Sequence, residues 1–215
     1  MIFRLLIDSC VMCGLYSFRR SPEETRTLFN YLERPDFPPR QYVTPGGPMA
    51  IVRQNHSGRH FGLVRWGFVP SWAKEVQPGK PLINARSETI LEKPSFRNAI
   101  RRRRCLIPAD GFYEWEGDVP GKKRPYFIHR PDHGLMAFAG IWEHWLGPDG
   151  SELETAAIIT TANIHVFHIA ASLGRAIDMR QAKLSSRHLI IPLRAAKARS
   201  RFTRRHVRPM NGPFV

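Results

Sequence analysis

Met12-Cys13-Gly14 holds the most distinctive chemistry in this chain. A terminal Met before a small side chain is normally trimmed, so translation from Met12 would leave Cys13 first, with an amine and a thiol on adjacent carbons. An α-amine titrates near pKa ~7.7–8.0 against ~10.4 for Lys, so an appreciable fraction is an uncharged nucleophile at neutral pH. Such a 1,2-aminothiol traps an aldehyde in two steps: the amine condenses to an imine, then the thiol adds to the imine carbon and closes a thiazolidine. An internal cysteine cannot do this. As the chain is written, eleven residues precede Met12, and a peptide bond at the Cys13 nitrogen would forbid the reaction. Cys13 therefore reads either as a liberated nucleophile or as an ordinary thiol near a chain end.

Three further places carry side chains suited to chemistry. Glu114 alternates with Tyr113 and Trp115; a carboxylate so flanked is either partly desolvated, which raises its pKa towards that of a useful acid or base, or sits on the wet face of an edge strand. Leu82-Ile83-Asn84-Ala85-Arg86-Ser87-Glu88-Thr89 begins apolar and turns polar, as a strand end delivering side chains into a cleft would. Pro70-Ser71-Trp72 is a rigid aromatic turn after Arg65-Trp66-Gly67, readable as a stacking platform for unpaired bases or as core. Cys10 and Cys13 form a C-x-x-C, but no second pair completes a zinc site and no helix starts at Cys13.

The elements that would position these residues are mostly short strands. Residues 16–19, 49–53, 61–69, 105–108, 112–115, 126–129, 135–145 and 156–161 read as strands separated by Gly, Pro and Asp turns. Ser21-Pro22-Glu23-Glu24 predicts a helix start with a capping box, continuing to Leu32 and burying Leu28, Phe29 and Leu32. Residues 40–48 read as loop. A second helix is expected from a Ser95 cap through Arg104, with Phe96 and Ile100 inward and Arg101 to Arg104 either on phosphate or on a solvated face.

At 215 residues and 42% hydrophobic, the chain can bury one substantial core. Three cysteines suggest a reducing compartment, and the apolar run Ile2–Ile7 is too short for a membrane span, so a cytoplasmic protein is expected. The +15 charge points to a polyanion, with nucleic acid the commonest. Its distribution is uneven: residues 164–215 carry eleven Lys and Arg against one acid, Asp178, leaving 22 against 17 before them. Beyond Asn163 Glu disappears and apolar periodicity weakens, which fits a basic nucleic-acid tail or the product of a shifted reading frame.

Together these segments resemble the SOS response-associated peptidase (SRAP) family, abasic-site processing proteins that crosslink to single-stranded DNA. The resemblance rests on Met12-Cys13-Gly14, Arg65 to Ala73, Leu82 to Thr89, Lys93 to Phe96, Arg103 to Trp115 and Pro125 to Ile128, in that order. It implies an α+β, strand-rich fold with a small closed β-barrel and a branching sheet, with a catalytic domain over 12–163; residues 1–11 read as a non-native or removed extension and 164–215 as a basic, divergent segment. It implies that Cys13 joins the aldehyde of an opened abasic site as a thiazolidine, that Asn84 positions the Cys or the sugar, and that Glu114 moves protons. Arg86 and Arg65 would contact DNA, Trp72 would sit where the strand kinks, and a peptidase-like step would remove the residues before Cys13. The expected partner is single-stranded DNA with abasic sites, bound by a monomer near the nucleoid, without metal or organic cofactor.

Three departures stand out. Leu15 occupies the place of a family Arg after Cys-Gly, Tyr42 that of an Asn, and no His-x-Arg-Met-Pro-like motif follows Asn163, where His168 is the candidate substitute. An intact front and a compromised back of the site are therefore expected. A non-catalytic single-strand binder and a cysteine peptidase are the competing functions.

Overall fold

A computed structural model of the chain describes residues 14–79, 81–116, 119, 123–130, 132–161, 183–185, 188–190 and 203–206. In chain order the elements are β1 (Tyr16–Phe18), α1 (Pro22–Phe29), β2 (Arg40–Val43), β3 (Pro48–Asn55), β4 (Gly58–Trp66), β5 (Asn84–Arg86), α2 (Ala99–Arg102), β6 (Arg104–Ala109), β7 (Gly111–Glu116), β8 (Arg124–His129), β9 (Met136–Leu146), β10 (Glu152–Thr160), β11 (Lys183–Ser185), β12 (His188–Ile190) and β13 (Thr203–His206).

Strands β4-β3-β6-β9-β10 run side by side and close on themselves, because β10 also pairs in parallel with β4 at Thr155↔Arg65 and Ala156↔Trp66. The result is the small closed barrel. The same edge of β10 then leaves β4 and takes up β5 at Ile158↔Asn84, which is where the sheet branches. A second sheet, ordered β13-β8-β7-β1-β2, lies against it. The expected α+β, strand-rich architecture is the observed one.

Side-chain alternation fills the barrel. Trp66, Ile51, Ile107 and Ile158 are fully buried, and an added Cβ at Gly140 would stand 2.6 Å from Ile107 Cδ1 and 3.0 Å from Cys105 Sγ. A second cluster, Phe68, Ala85, Ile90, Phe96, Ile100 and Ile159, seals the outer side of β5 and β10. Tyr16 ties the two sheets together, its ring 5.5 Å from Trp66 and 5.7 Å from Phe138.

Several local expectations are corrected. The Ser21 capping box forms, but α1 stops at Phe29 because Asn30 adopts the left-handed conformation and bonds back to Arg26 O; Leu32 is consequently 55% exposed. Residues 40–43 are a strand, β2, paired with β1 rather than loop. The helix expected over 95–104 shrinks to α2, since 87–98 is a series of turns and Arg104 already belongs to β6; Phe96 and Ile100 are still buried. Strand β4 ends at Trp66 because Gly67 has φ +141°. Beyond residue 163, where no regular element was expected, β11 and β12 pair with each other and β13 pairs with β8 at Arg205↔Phe127.

Candidate active site

Cys13 lies outside the described residues, as does His168. The described chain begins at Gly14, and the next residue is firmly placed: Leu15 is buried and its carbonyl accepts the Tyr113 N–H at 2.9 Å. Strands β1 and β7 pair antiparallel at Tyr16↔Phe112 and Ser17↔Gly111. Carried two residues towards the chain start, that register sets Gly14 opposite Glu114.

Glu114 is half-buried and its Oε1 is closed off from solvent. Alternation along β7 puts it on the side of Phe112, whose ring meets Phe138 of the barrel at 5.7 Å. The carboxylate therefore faces the junction of the two sheets and not the wet side of an edge. Trp115, on the other side of β7, is 38% exposed.

Asn84 opens β5, half-buried, with its Oδ1 likewise closed off from solvent. What holds it there is the residue before it: the Ile83 carbonyl accepts both the Trp66 indole N–H and the Ile158 N–H, each at 3.0 Å. Trp66 is thus the common support, packed at a tilt against Tyr16 of β1 through its ring and bonded beside Asn84 through its nitrogen. Its own backbone is pinned to the 46–47 turn, Gly46 N donating to Trp66 O at 2.7 Å and Trp66 N to Gly47 O at 2.9 Å. Asn84 thus adjoins Trp66 in one sheet, and Glu114 lies on the face of the other that Tyr16 shares.

Arg86 ends β5, exposed, opposite Thr160; just beyond it Ser87 N donates to Thr160 O at 2.8 Å and Thr161 donates to Glu88 at 2.9 Å. Trp72 is 62% exposed at the tip of the Pro70–Ala73 turn, so it is not core. That turn is rigid, because the buried Trp145 donates its indole N–H to Ala73 O at 2.7 Å.

Arg65 is separated from this group. It alternates with the buried Trp66 and lines a groove of about 1040 Å³ together with Arg53, Arg103, Trp142, His144 and Glu154. Asn84, Glu114, Arg86 and Trp72 do not line that groove. Within it the Arg53 guanidinium lies 4.3 Å from the Trp142 ring centroid and pairs with Glu154, while Arg103 pairs with buried Glu143 at 3.0 Å. Of the 101–104 arginine run, Arg103 is spent on that pair, and Arg104 caps α2 through the Ile100 and Arg101 carbonyls; Arg101 and Arg102 remain exposed.

Two of the departures now have a structural meaning. Leu15 is buried, so the side chain in the place of the family Arg points inward. Tyr42 packs its ring 5.7 Å from Tyr113, on the face of the second sheet away from Glu114. Cys105 is buried inside the barrel, and burial pushes its thiol well above the ordinary range, so it is no rival nucleophile. Among the described residues no group of three or more His, Cys, Asp and Glu could hold a metal ion, and no helix is long and apolar enough to cross a membrane.

Sequence reasoning missed Asp110, which is buried at the β6–β7 turn against Arg19 and Arg20. The only local signal was a carboxylate in a turn between two apolar strands.

Comparison with known proteins gives the relatives of the chain and of its fold. The family model described as SOS response associated peptidase (SRAP) matches residues 12–169. The abasic site processing protein YoqW of Bacillus subtilis is 39% identical over 153 residues, covering 70% of this chain and 68% of its own. The abasic site processing protein HMCES of Gallus gallus is 39% identical over 143 residues, 53% of this chain and 42% of its own. A crystal structure of a Bacteroides thetaiotaomicron protein superposes with a TM-score of 0.62 at 28% identity, over 69% of this chain and 68% of that one.

Proposed function

Since the chain belongs to the SOS response associated peptidase (SRAP) family, we propose that it processes abasic sites in single-stranded DNA by covalent capture through Cys13. The residues before Cys13 are first removed by the associated peptidase step, which adds water across one peptide bond and frees the amine. The amine then attacks the ring-opened sugar aldehyde; Glu114 relays the two amine protons in turn, the first to the aldehyde oxygen as the carbon–nitrogen bond forms and the second to the resulting hydroxyl, which leaves as water. The thiol adds across the resulting C=N bond, forming the carbon–sulfur bond and delivering its proton to nitrogen. Asn84 hydrogen-bonds the sugar or the Cys. Trp72 stacks on an unpaired base beside the lesion and Arg86 meets a phosphate.

The observation that carries this reading is the β1–β7 register, which sets Gly14 across from Glu114. The missing family His and the inward Leu15 make the expected capture slower than in a chain with the full motif set.

The test has two readouts. Intact mass of the purified protein reports whether Cys13 is the first residue, and denaturing electrophoresis after incubation with abasic single-stranded DNA reports the covalent product. Cys13→Ala should abolish the product while keeping affinity, and Glu114→Gln should slow it by about 10²–10⁴-fold. Undiminished product from Cys13→Ala would falsify covalent capture. Tight binding with no product from a chain that does begin at Cys13 would instead establish the second reading, a non-catalytic single-strand binder, which the basic 164–215 segment favours.

A further inference from the structure

Strand β1 is only three residues long, and on one side its ladder is irregular: Tyr16 pairs with Val43 but Phe18 with Arg40, one residue out of step. Short strands with a broken ladder specify their register weakly, and a one-residue slip would turn Tyr16 out of the core and carry Gly14 away from Glu114. The pairing with β7 is in step but spans few residues, so a further tie at the far end of β1 adds to its register.

Asp110 does this from both its backbone and its side chain. Its N–H donates to Ser17 O at 2.8 Å. One carboxylate oxygen, Oδ2, accepts the Arg19 N–H at 2.6 Å, Arg19 Nε at 3.4 Å and Ser17 Oγ at 3.4 Å; the other, Oδ1, accepts Arg20 Nε at 3.2 Å. Arg20 reaches on to the His133 carbonyl at 2.5 Å and to Glu24 of the α1 capping box at 3.1 Å. The carboxylate thus grips β1 at its far end, joins it through Arg20 to α1 and to His133, and sits four residues before Glu114 where the chain passes from β6 in one sheet to β7 in the other. A grip at one end of β7 fixes the alignment at the other, roughly 13 Å away at the rise of an extended chain.

We infer that Asp110 is a positioning residue for the capture chemistry: it locks the β1 register and thereby holds the start of β1 against Glu114. This rests on the function proposed above. Asp110→Asn keeps the shape but loses the charge that two guanidiniums and a backbone N–H share. The variant should lose about tenfold to a hundredfold in the first-order rate of crosslinking at saturating abasic DNA. Its affinity for a strand carrying the unreactive tetrahydrofuran analogue should stay within about threefold, since no DNA-contacting residue is touched. Amide exchange at Tyr16 and Ser17 should quicken while β9 and β10 keep their protection.

Should Asp110→Asn fail to fold, Arg20→Ala loosens the same carboxylate from the solvent side and should show the same split between rate and affinity at smaller size. A crosslinking rate equal to wild type overturns the assignment, as does a proportional fall of rate, affinity and melting temperature, which is the mark of a merely structural ion pair. A wild-type chain beginning at Cys13 that forms no crosslink overturns the proposed function instead. Unchanged β1 exchange in the variant overturns the positioning role whatever the wild type does.

Discussion

Two tryptophans six residues apart separate an exposed ring from a supporting one. Trp72 is largely exposed on a turn whose backbone is tied down by Trp145, so its ring is presented without being needed for packing. Trp72→Ala should leave stability within about 0.5 kcal/mol yet weaken single-stranded DNA binding by about 1–3 kcal/mol, measured by thermal melting and fluorescence anisotropy; a large stability loss with unchanged affinity would remove the stacking role. Arg86→Ala should flatten the dependence of log K on log salt by about 0.7, the share of one phosphate contact on a single strand. Trp66 is the opposite case, fully buried and shared by Tyr16 and Ile83. Trp66→Phe keeps most of the buried ring but removes one of the two donors to the Ile83 carbonyl, a loss of about 1 kcal/mol that acts directly beside Asn84. The motif containing both tryptophans was readable from the sequence; which one faced water was not, because that depends on Thr155, Ala156 and Trp145 from distant strands.

At the scale of elements, glycine conformation and capping decide where strands and helices stop. Gly67 ends β4 with φ +141°, and a Cβ there would lie 2.9 Å from the Pro81 Cβ. Gly67→Ala should therefore cost about 1–3 kcal/mol and disturb the Phe68↔Leu82 bridge that leads the chain into β5, read as a lowered denaturation midpoint with slowed crosslinking. Ser21→Ala should cost about 1 kcal/mol by opening the box in which Ser21 Oγ accepts the Glu24 N–H and Glu24 accepts the Ser21 N–H. That box was legible because both partners lie within four residues. Strand β2 was not, since Arg40, Gln41 and Tyr42 are all exposed and only pairing with β1 makes them a strand. The long helix expected over 95–104 failed for the same reason: the buried Phe96 and Ile100 satisfy a helical spacing while turns carry most of the backbone. Asp110 was illegible as a clamp because its partners are some 90 residues earlier in the chain. A shared role for Asn84 and Glu114 was legible only through resemblance, for these residues come from different sheets.

For the whole molecule, the barrel and the second sheet cohere through buried aromatics, and this gives the fold a particular sensitivity to alkali. Tyr31 packs at 5.2 Å on Phe61 of the barrel and donates its hydroxyl to Pro22 O, while Tyr113 packs at 4.8 Å on Phe127 in the second sheet. Burial pushes both phenols up to about 12, whereas an unfolded tyrosine ionises near ~10. Because the folded values are raised, the stability each contributes is complete below about pH 10 and is lost as pH rises through about 12. Denaturant unfolding followed across this window should show each phenol withdrawing on the order of 1.4 kcal/mol per pH unit, with phenolate absorbance appearing together with loss of structure. Tyr113→Phe should remove its share of that slope, which separates it from the lysines titrating in the same range. If Tyr113 ionises near pH 10 with the fold intact, its ring is open to water, and the second sheet is held by something other than the Tyr113–Phe127 contact.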